Sequence, residues 1–447
     1  MAALCDEAPA APRPTWKRSA LTAIALSTLF MVVYNSTNWI TAQRDDVGTW
    51  YYQWERHIPF VAWMIIPYMA IDAFFVAAPF ICTTTNEQRL FSRRIAFTIV
   101  AAGLCFLLFP LQLAVERPYV QGWLGVIFNP FREFDLPYNL CPSLHIALRT
   151  ILADLYARHT RGLIRLCSHV WFSLIGVSTL LTYQHHVVDV IGGFILAAVC
   201  FYFVRETQLC LPVKKSYRVG SYYLIGTAAM VALAATLRPW GLLLLWPATS
   251  TSLVASGYLL LGPGVYGKSD GRLPLSTVLI LAPVLIGQHL SLLFYRRQCR
   301  AWDRATDQLW IGRVLSNEAA NTAIDEGVTA VVDLTVNFSE AEPFRNAKYL
   351  QLPVMDLTAP TSHQIDQAVA FITAESRRGV VFVHCKIGYS RSAAIVGAYL
   401  VGQGFVEDAD GAINRLREVR PSIVIRPEAE QAIRQYASRN AVQNEPG

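Results

Sequence analysis

The chain has 447 residues, 53% hydrophobic and 16% charged, with a formal net charge of +6. That composition is too apolar for an ordinary soluble enzyme. The modest positive charge, with no basic stripe interleaved with aromatics, argues against a nucleic-acid partner and suits an anionic lipid surface.

The opening segment 1–18 is Ala/Pro-rich and polar, which predicts a disordered tail. The apolar stretch after it is too long for a signal peptide and lacks a small-residue cleavage site, so it predicts a retained first helix. Segments able to cross about 30 Å of hydrocarbon are expected near 19–40, 58–82, 95–115, 163–183, 184–204, 217–236, 239–262 and 274–295, with a weaker one near 142–157. Trp39, Trp50, Tyr51, Tyr52 and Trp54 flank the first two as interfacial anchors do. Thirteen Lys and Arg between Arg13 and Arg218 fall in the segments expected inside. Five, Arg44, Arg56, Arg117, Arg132 and Arg238, fall in the facing loops. The asymmetry predicts a cytoplasmic N-terminus.

Two polar constellations interrupt the apolar region on its outer side. Cys141-Pro-Ser143-Leu-His145 opens one span, and Tyr183-Gln-His185-His186-Val-Val-Asp189 opens another. His185 and Asp189 are four apart, hence on one helix face, where the carboxylate can orient the imidazole. His145 on a neighbouring helix could protonate a leaving oxygen, and Ser143 at a helix start could hold phosphate. Ionisable groups facing one another at a membrane boundary are a functional hypothesis by default.

Over about residues 20–205 these motifs resemble the type 2 phosphatidic acid phosphatase superfamily, in its sphingomyelin and inositol-phosphorylceramide synthase branch. The resemblance implies a six-helix core, His185 as the nucleophile that becomes a phosphohistidine, Asp189 as its support and His145 as acid. Arg117-Pro118 matches the end of the superfamily's first motif and implies a phosphate contact by Arg117. Two of the superfamily's phosphate-binding cations are replaced here, by Pro110 and Thr179. Arg149, one turn from His145, is a candidate substitute.

Residues 206–300 add two or three further hydrophobic segments. Pro247 in one, and Gln288-His289 in the next, mark each as a candidate for incomplete crossing. If one does not cross, the C-terminal domain is cytoplasmic, as Arg296, Arg297 and Arg300 also suggest. A low-pKa thiolate also survives better in a reducing compartment.

Residues 301–440 read as an α/β domain, with a short tail, 441–447. Strands are expected at Leu309–Ile311, Ala330–Leu334, Tyr349–Pro353 and Val380–Val383, and helices at 362–377, 392–404, 408–418 and 427–438. The decisive stretch is Val381-Phe-Val-His384-Cys385-Lys-Ile-Gly388-Tyr-Ser-Arg391-Ser392. An apolar strand, a tight loop and a helix start would aim the backbone N–H groups of Lys386, Ile387, Gly388, Tyr389, Ser390 and Arg391 at one dianion. Arg391 can add a bidentate grip. A thiol of ordinary pKa about 8.5 falls to about 7 or below in such a setting, which makes Cys385 a nucleophile. Asp356, 29 residues earlier in a loop bounded by Pro353 and Pro360, can be held at a leaving-group oxygen as general acid. The other eight cysteines lack Cys-x-x-Cys spacing and partner histidines, so they read as packing residues rather than zinc ligands or disulfides.

Over roughly 305–440 the segment resembles the cysteine-dependent dual-specificity phosphatases, most of all their lipid-directed branch. That resemblance implies Cys385 as nucleophile, Arg391 as phosphate clamp, Ser392 as hydrogen-bond donor to the departing thiolate and Asp356 as general acid. The sequence thus predicts a multi-pass helical membrane bundle followed by an α/β phosphatase domain. It would be a bifunctional enzyme acting on phospholipid head-group phosphates, with no metal or other cofactor needed by either chemistry. The rival is a membrane-anchored protein-tyrosine or dual-specificity phosphatase whose bundle only binds lipid.

Overall fold

The computed structural model describes residues 11–206, 215–237 and 240–444. The chain divides into two compact units, Met1–Glu206 and Thr207–Gly447. Residues 1–10 of the expected tail, Lys214 and Arg238 of the charge count, and 445–447 lie outside the described residues.

The first unit contains α1 (Trp16–Thr41), α2 (Ile65–Ile81), α3 (Thr85–Leu108), α4 (Trp123–Phe134), α5 (Leu144–His159), α6 (Gly162–Leu181) and α7 (Val187–Phe203). Helix α1 starts inside the expected tail because Thr15 caps it, accepting from the Arg18 N–H at 3.3 Å. The span expected at 95–115 begins instead at Thr85. The Thr84 hydroxyl accepts from the Glu87 N–H at 3.1 Å, and the Glu87 carboxylate accepts from the Thr83 N–H at 2.8 Å. The helix stops two residues before Pro110, which cannot continue it. Phe75, Ile95, Ile99, Phe106, Ile151 and Phe172 share one buried cluster that knits α2, α3, α5 and α6. Helix α5, the weakest span by sequence, is the central one, touching α2, α3, α6 and α7. Other helices cover much of it, so it can carry His145, Arg149 and Asp154. Gly193 allows α7 to close on α5, since a Cβ there would lie 2.6 Å from the Ser143 carbonyl oxygen and 2.7 Å from Ile146. That contact sets the starts of the two helices side by side.

The second unit opens with α8 (Tyr217–Thr236), then α9 (Leu245–Ser256), α10 (Leu275–Ile280) and α11 (Ala282–Tyr295). Among the described residues, six helices are long and apolar enough to cross a membrane: Trp16–Thr41, Ala62–Ile81, Thr85–Leu108, Gly162–Leu181, Tyr217–Thr236 and Trp240–Val265. The segment expected at 274–295 is broken between α10 and α11. Pro283 has no N–H to give the Leu279 carbonyl, which accepts instead from the Trp246 indole at 3.2 Å.

There follow β1 (Trp302–Thr306), β2 (Leu309–Arg313), α12 (Asn317–Asp325), β3 (Val328–Asp333), α13 (Glu342–Asn346), β4 (Lys348–Gln351), α14 (Ser362–Glu375), β5 (Val380–Cys385), α15 (Ser390–Gly402), α16 (Ala409–Val419) and α17 (Pro427–Asn444). The sheet order is β1-β2-β5-β3-β4, parallel except for β1. Val381, Val383, Ala330, Val332, Leu309 and Ile311 pack on one face against α14 and α15, while Trp310, Val331 and Phe382 pack on the other with Ala320, Ala323 and Phe344. Burial on both faces is what a central parallel strand requires. The expected elements are all present, and β1, α12 and α13 are additional. The boundary expected near 300 is not a boundary between compact units, because α8–α11 belong to the same unit as the sheet.

Candidate active site

Strand β5 is the middle strand and ends at Cys385, at the carboxyl edge where open α/β sheets form their crevice. The chain turns at Gly388, with φ 75°, and enters α15 at Ser390. A Cβ at Gly388 would lie 2.4 Å from the Gly312 carbonyl oxygen, so both conformation and space require glycine. Arg420, fully buried, ties the loop from below by donating to the Ile387 carbonyl at 3.0 Å and to Asp303 at 2.5 Å. Ser390 joins the loop to the C-terminal segment, donating to the Val424 carbonyl at 2.8 Å and accepting from the Arg426 N–H at 3.0 Å.

Cys385 is 3% exposed. Burial alone would push its thiol up. Arg391 opposes this, together with hydrogen bonds from Ser392 and the Tyr389 N–H, and the net shift is down. The buried Ser392 hydroxyl has no other fixed partner, which leaves it for the sulfur. Arg391 is anchored by donating to the Val354 carbonyl at 2.9 Å, and its other arm donates to Asp356 at 3.0 Å. Burial would raise the Asp356 carboxyl, but Arg391 and Lys386, 3.7 Å away, hold it below the ordinary carboxylate range. Asp356 is therefore ionised in the free protein, resting on the guanidinium that a phosphate would need.

Cys385, Lys386, Ile387, Tyr389, Ser390, Arg391 and Asp356 line one cavity of about 610 Å³. Gly388 and Ser392, in contrast, do not reach its wall. The cavity is also lined by residues the sequence did not assign to the site: Tyr223 of α8, Pro247 and Thr251 of α9, Gln288 and Ser291 of α11, and Arg426. Lys386 donates to Gln288 at 2.8 Å and to Ser291 at 2.9 Å, and the Tyr258 hydroxyl donates to the Asp356 carbonyl at 2.9 Å. Gln288 had stood out only as a polar break in an apolar run.

Beneath the loop, His384 lies 2.7 Å from Glu340 and 3.8 Å from Asp333. The two carboxylates outweigh burial and raise the imidazole's pKa. Asp333 accepts from Tyr349 at 2.6 Å and Thr335 at 2.7 Å, and is paired with Lys268 from the loop after α9. Asp333, Glu340 and His384 have the spacing of a metal cluster. The Lys268 ammonium already supplies a cation there.

In the first unit, His145 and His185 line a cavity of about 490 Å³ with Tyr34, Tyr68, Asp72 and Asp135. His145 stacks on Tyr68 with ring centroids 4.2 Å apart. The His185 Nδ1 is 3.7 Å from Asp189, longer than a hydrogen bond. Asp189 instead accepts from the His186 N–H at 2.8 Å, and its carbonyl accepts from the Ser143 N–H at 2.9 Å. The neighbouring His186 is held by Glu55 at 3.2 Å. The three residues expected to hold phosphate here do not line this cavity. Ser143 caps α5, accepting from the Ile146 N–H at 3.3 Å. Arg117 is paired with Asp135 at 3.3 Å. Arg149 lies over the Phe194 ring, 5.2 Å from its centroid.

The family description "Dual specificity phosphatase, catalytic domain" matches residues 309–439. Phosphatidylglycerophosphate phosphatase PTPMT2 of Arabidopsis thaliana is 27% identical over 172 residues, 34% of this chain and 75% of that protein. Phosphatidylglycerophosphatase and protein-tyrosine phosphatase 1 of Mus musculus is 30% identical over 132 residues, 27% of this chain and 68% of that protein. The crystal structure of PTPMT1 is similar over 32% of this chain and 97% of its own, at 23% identity and a TM-score of 0.29. Through its C-terminal domain the chain belongs to the dual specificity phosphatases, and that domain is a cysteine-dependent phosphoric monoester hydrolase of lipid or protein phosphates.

Proposed function

We propose that the chain is a multi-pass membrane enzyme whose C-terminal site hydrolyses the terminal phosphomonoester of a phospholipid, with phosphatidylglycerophosphate the favoured substrate. The observation that carries this reading is Cys385, Arg391 and Asp356 on one cavity, in a chain whose described residues include six helices apolar enough to cross a membrane. The phosphate would displace Asp356 from Arg391. Released from the guanidinium and set beside the phosphate, the Asp356 carboxyl rises in pKa and takes the proton that the substrate monoanion brings. The Cys385 sulfur then attacks phosphorus, the S–P bond forms, the P–O ester bond breaks, and the leaving alkoxide takes the Asp356 proton. Water attacks phosphorus, giving a proton to Asp356; the S–P bond breaks, inorganic phosphate leaves, and the returning thiolate is stabilised by a hydrogen bond from Ser392. The loop N–H groups and Arg391 hold the equatorial oxygens throughout.

Purified full-length protein assayed against a phospholipid panel and a phosphotyrosine peptide tests the reading. Cys385→Ser should abolish turnover while keeping phosphate binding, because a hydroxyl is the poorer nucleophile in an intact cradle. Arg391→Lys should also fail, since a point charge cannot replace a planar two-pronged grip. Preference for the peptide would favour the anchored protein phosphatase instead.

For the bundle, the reading is a second, histidine-dependent lipid phosphatase or phosphotransferase, with His185 as nucleophile and His145 as acid. Both imidazoles on one cavity support it. Residual lipid turnover in Cys385→Ser that is lost on adding His185→Ala is the expected outcome; no such turnover would make the bundle a lipid-binding scaffold.

A further inference from the structure

The cavity over Cys385 is not walled by the phosphatase domain alone. Its floor is polar and cationic: Lys386, Arg391 and Arg426. Its far wall comes from the apolar helices, with Pro247 of α9 and Pro283, Val284 and Gly287 of α11. Helices α8 and α9 pack against each other, and Tyr258 lies just beyond the end of α9. Tyr223 stacks on Tyr258 at 5.7 Å, and Thr227 and Thr251 share a hydrogen bond of 2.8 Å. Tyr258 sits at the acid loop, through its bond to the Asp356 carbonyl. Pro247 lies 11 residues away along the same stretch of chain, about 16 Å at helical rise. The opposite side of α11 presents Ile286, Leu290 and Phe294, which are 58%, 61% and 60% exposed. One face of this helix thus borders the nucleophile's cavity while the other is an apolar surface suited to hydrocarbon.

A phosphopeptide needs a polar, open mouth for its backbone amides, since buried unpaired amides are costly. A lipid phosphomonoester needs a cationic end and an apolar end at about this spacing. Resting on the lipid phosphatase reading above, we propose that α9 and α11 form a binding site for the glycerol and acyl portion of a membrane lipid phosphomonoester. In it, Gln288 and Ser291 set specificity by holding Lys386 toward the head group. The substrate slides from the bilayer along α11 with its phosphate leading, and the helices are part of the active site rather than an anchor.

The test uses full-length enzyme in vesicles containing a long-chain lipid phosphomonoester, compared with a small soluble aryl phosphate. Gly287→Leu is the informative variant, because a Cβ at Gly287 meets nothing within 4 Å, so the added side chain enters the cavity without a backbone clash. The ratio of kcat/KM for lipid to kcat/KM for aryl phosphate should fall roughly tenfold or more, the effect of misfitting a methylene or more in an apolar pocket. Val284→Phe on the same wall provides a second variant judged by the same ratio. If both variants leave the ratio unchanged while the wild type turns over lipid, the helices are not a subsite and only this proposal falls. If the wild type hydrolyses aryl phosphate but no lipid phosphomonoester, the lipid reading fails, and the subsite with it.

Discussion

At the scale of single residues, the pairing of Asp356 with Arg391 governs the chemistry. The carboxylate occupies one arm of the clamp at 3.0 Å, so a free oxyanion must compete with it. Asp356→Asn should therefore tighten inhibition by inorganic phosphate by roughly tenfold, the scale of one hydrogen bond to a charged group. The same substitution should cripple hydrolysis of an alkyl phosphate, where proton donation is worth roughly 10²–10⁴ in rate, and spare an activated aryl phosphate. Equal losses on both substrates would reassign the acid. The pH dependence follows from two depressed groups. With Cys385 and Asp356 both shifted down in the free enzyme, the proton needed by an alkoxide must arrive on the substrate monoanion, whose second pKa is about 6. For an alkyl phosphate, kcat/KM should fall by about a decade per pH unit above that value and decline on the acid side only once Cys385 and Asp356 protonate. A flat profile to pH 8 would mean the proton comes from elsewhere. These residues were legible because Cys385 and Arg391 lie six apart in one loop; the ion pair was not, since it joins positions 35 apart.

At the scale of elements, the loop after α9 is the joint of the second unit. Lys268 is almost wholly buried and pairs with Asp333 beneath the catalytic strand. Lys268→Met should leave that carboxylate buried without its ammonium partner, at a cost of about 3 kcal/mol. Thermal inactivation of aryl phosphatase activity should then move down by roughly 10 °C. An unchanged midpoint would mean water replaces the ammonium. Nothing local announced this lysine; it follows a Gly-Pro-Gly run and its partner is 65 residues away. The strands β2–β5 were readable because burial on both faces demands unbroken apolar runs. Strand β1, Trp-Asp-Arg-Ala-Thr, was not, because at an edge only alternate residues are buried. In the bundle, His145 and His185, expected together because each opens a span on the outer side and because of the family resemblance, line one cavity. The partners of Ser143, Arg117 and Arg149 depend on packing that a sequence does not display.

At the scale of the whole molecule, the helices of the second unit bear on sidedness. Gly271 donates to Gln351 at 2.8 Å and Leu273 to Ser339 at 3.1 Å just before α10, while Ser291 near the end of α11 accepts from Lys386. Both ends of the 275–295 segment therefore touch the same α/β domain, as expected of a segment that returns instead of crossing. If the other eight segments expected from the sequence all cross, the termini would share a side, which the expected charge asymmetry would make cytoplasmic. A membrane-impermeant thiol reagent applied to intact cells should leave Cys385 unlabelled until the membrane is opened. Labelling without opening would require a ninth crossing.

The two-sided character of α11 also bears on how the reaction rate responds to its surroundings. If Ile286, Leu290 and Phe294 hold α11 in hydrocarbon, a substrate that reaches the cavity along the other face never enters the aqueous phase, so its search is confined to two dimensions. Turnover should then track the mole fraction of substrate in the membrane and fall when inert lipid is added at constant bulk concentration.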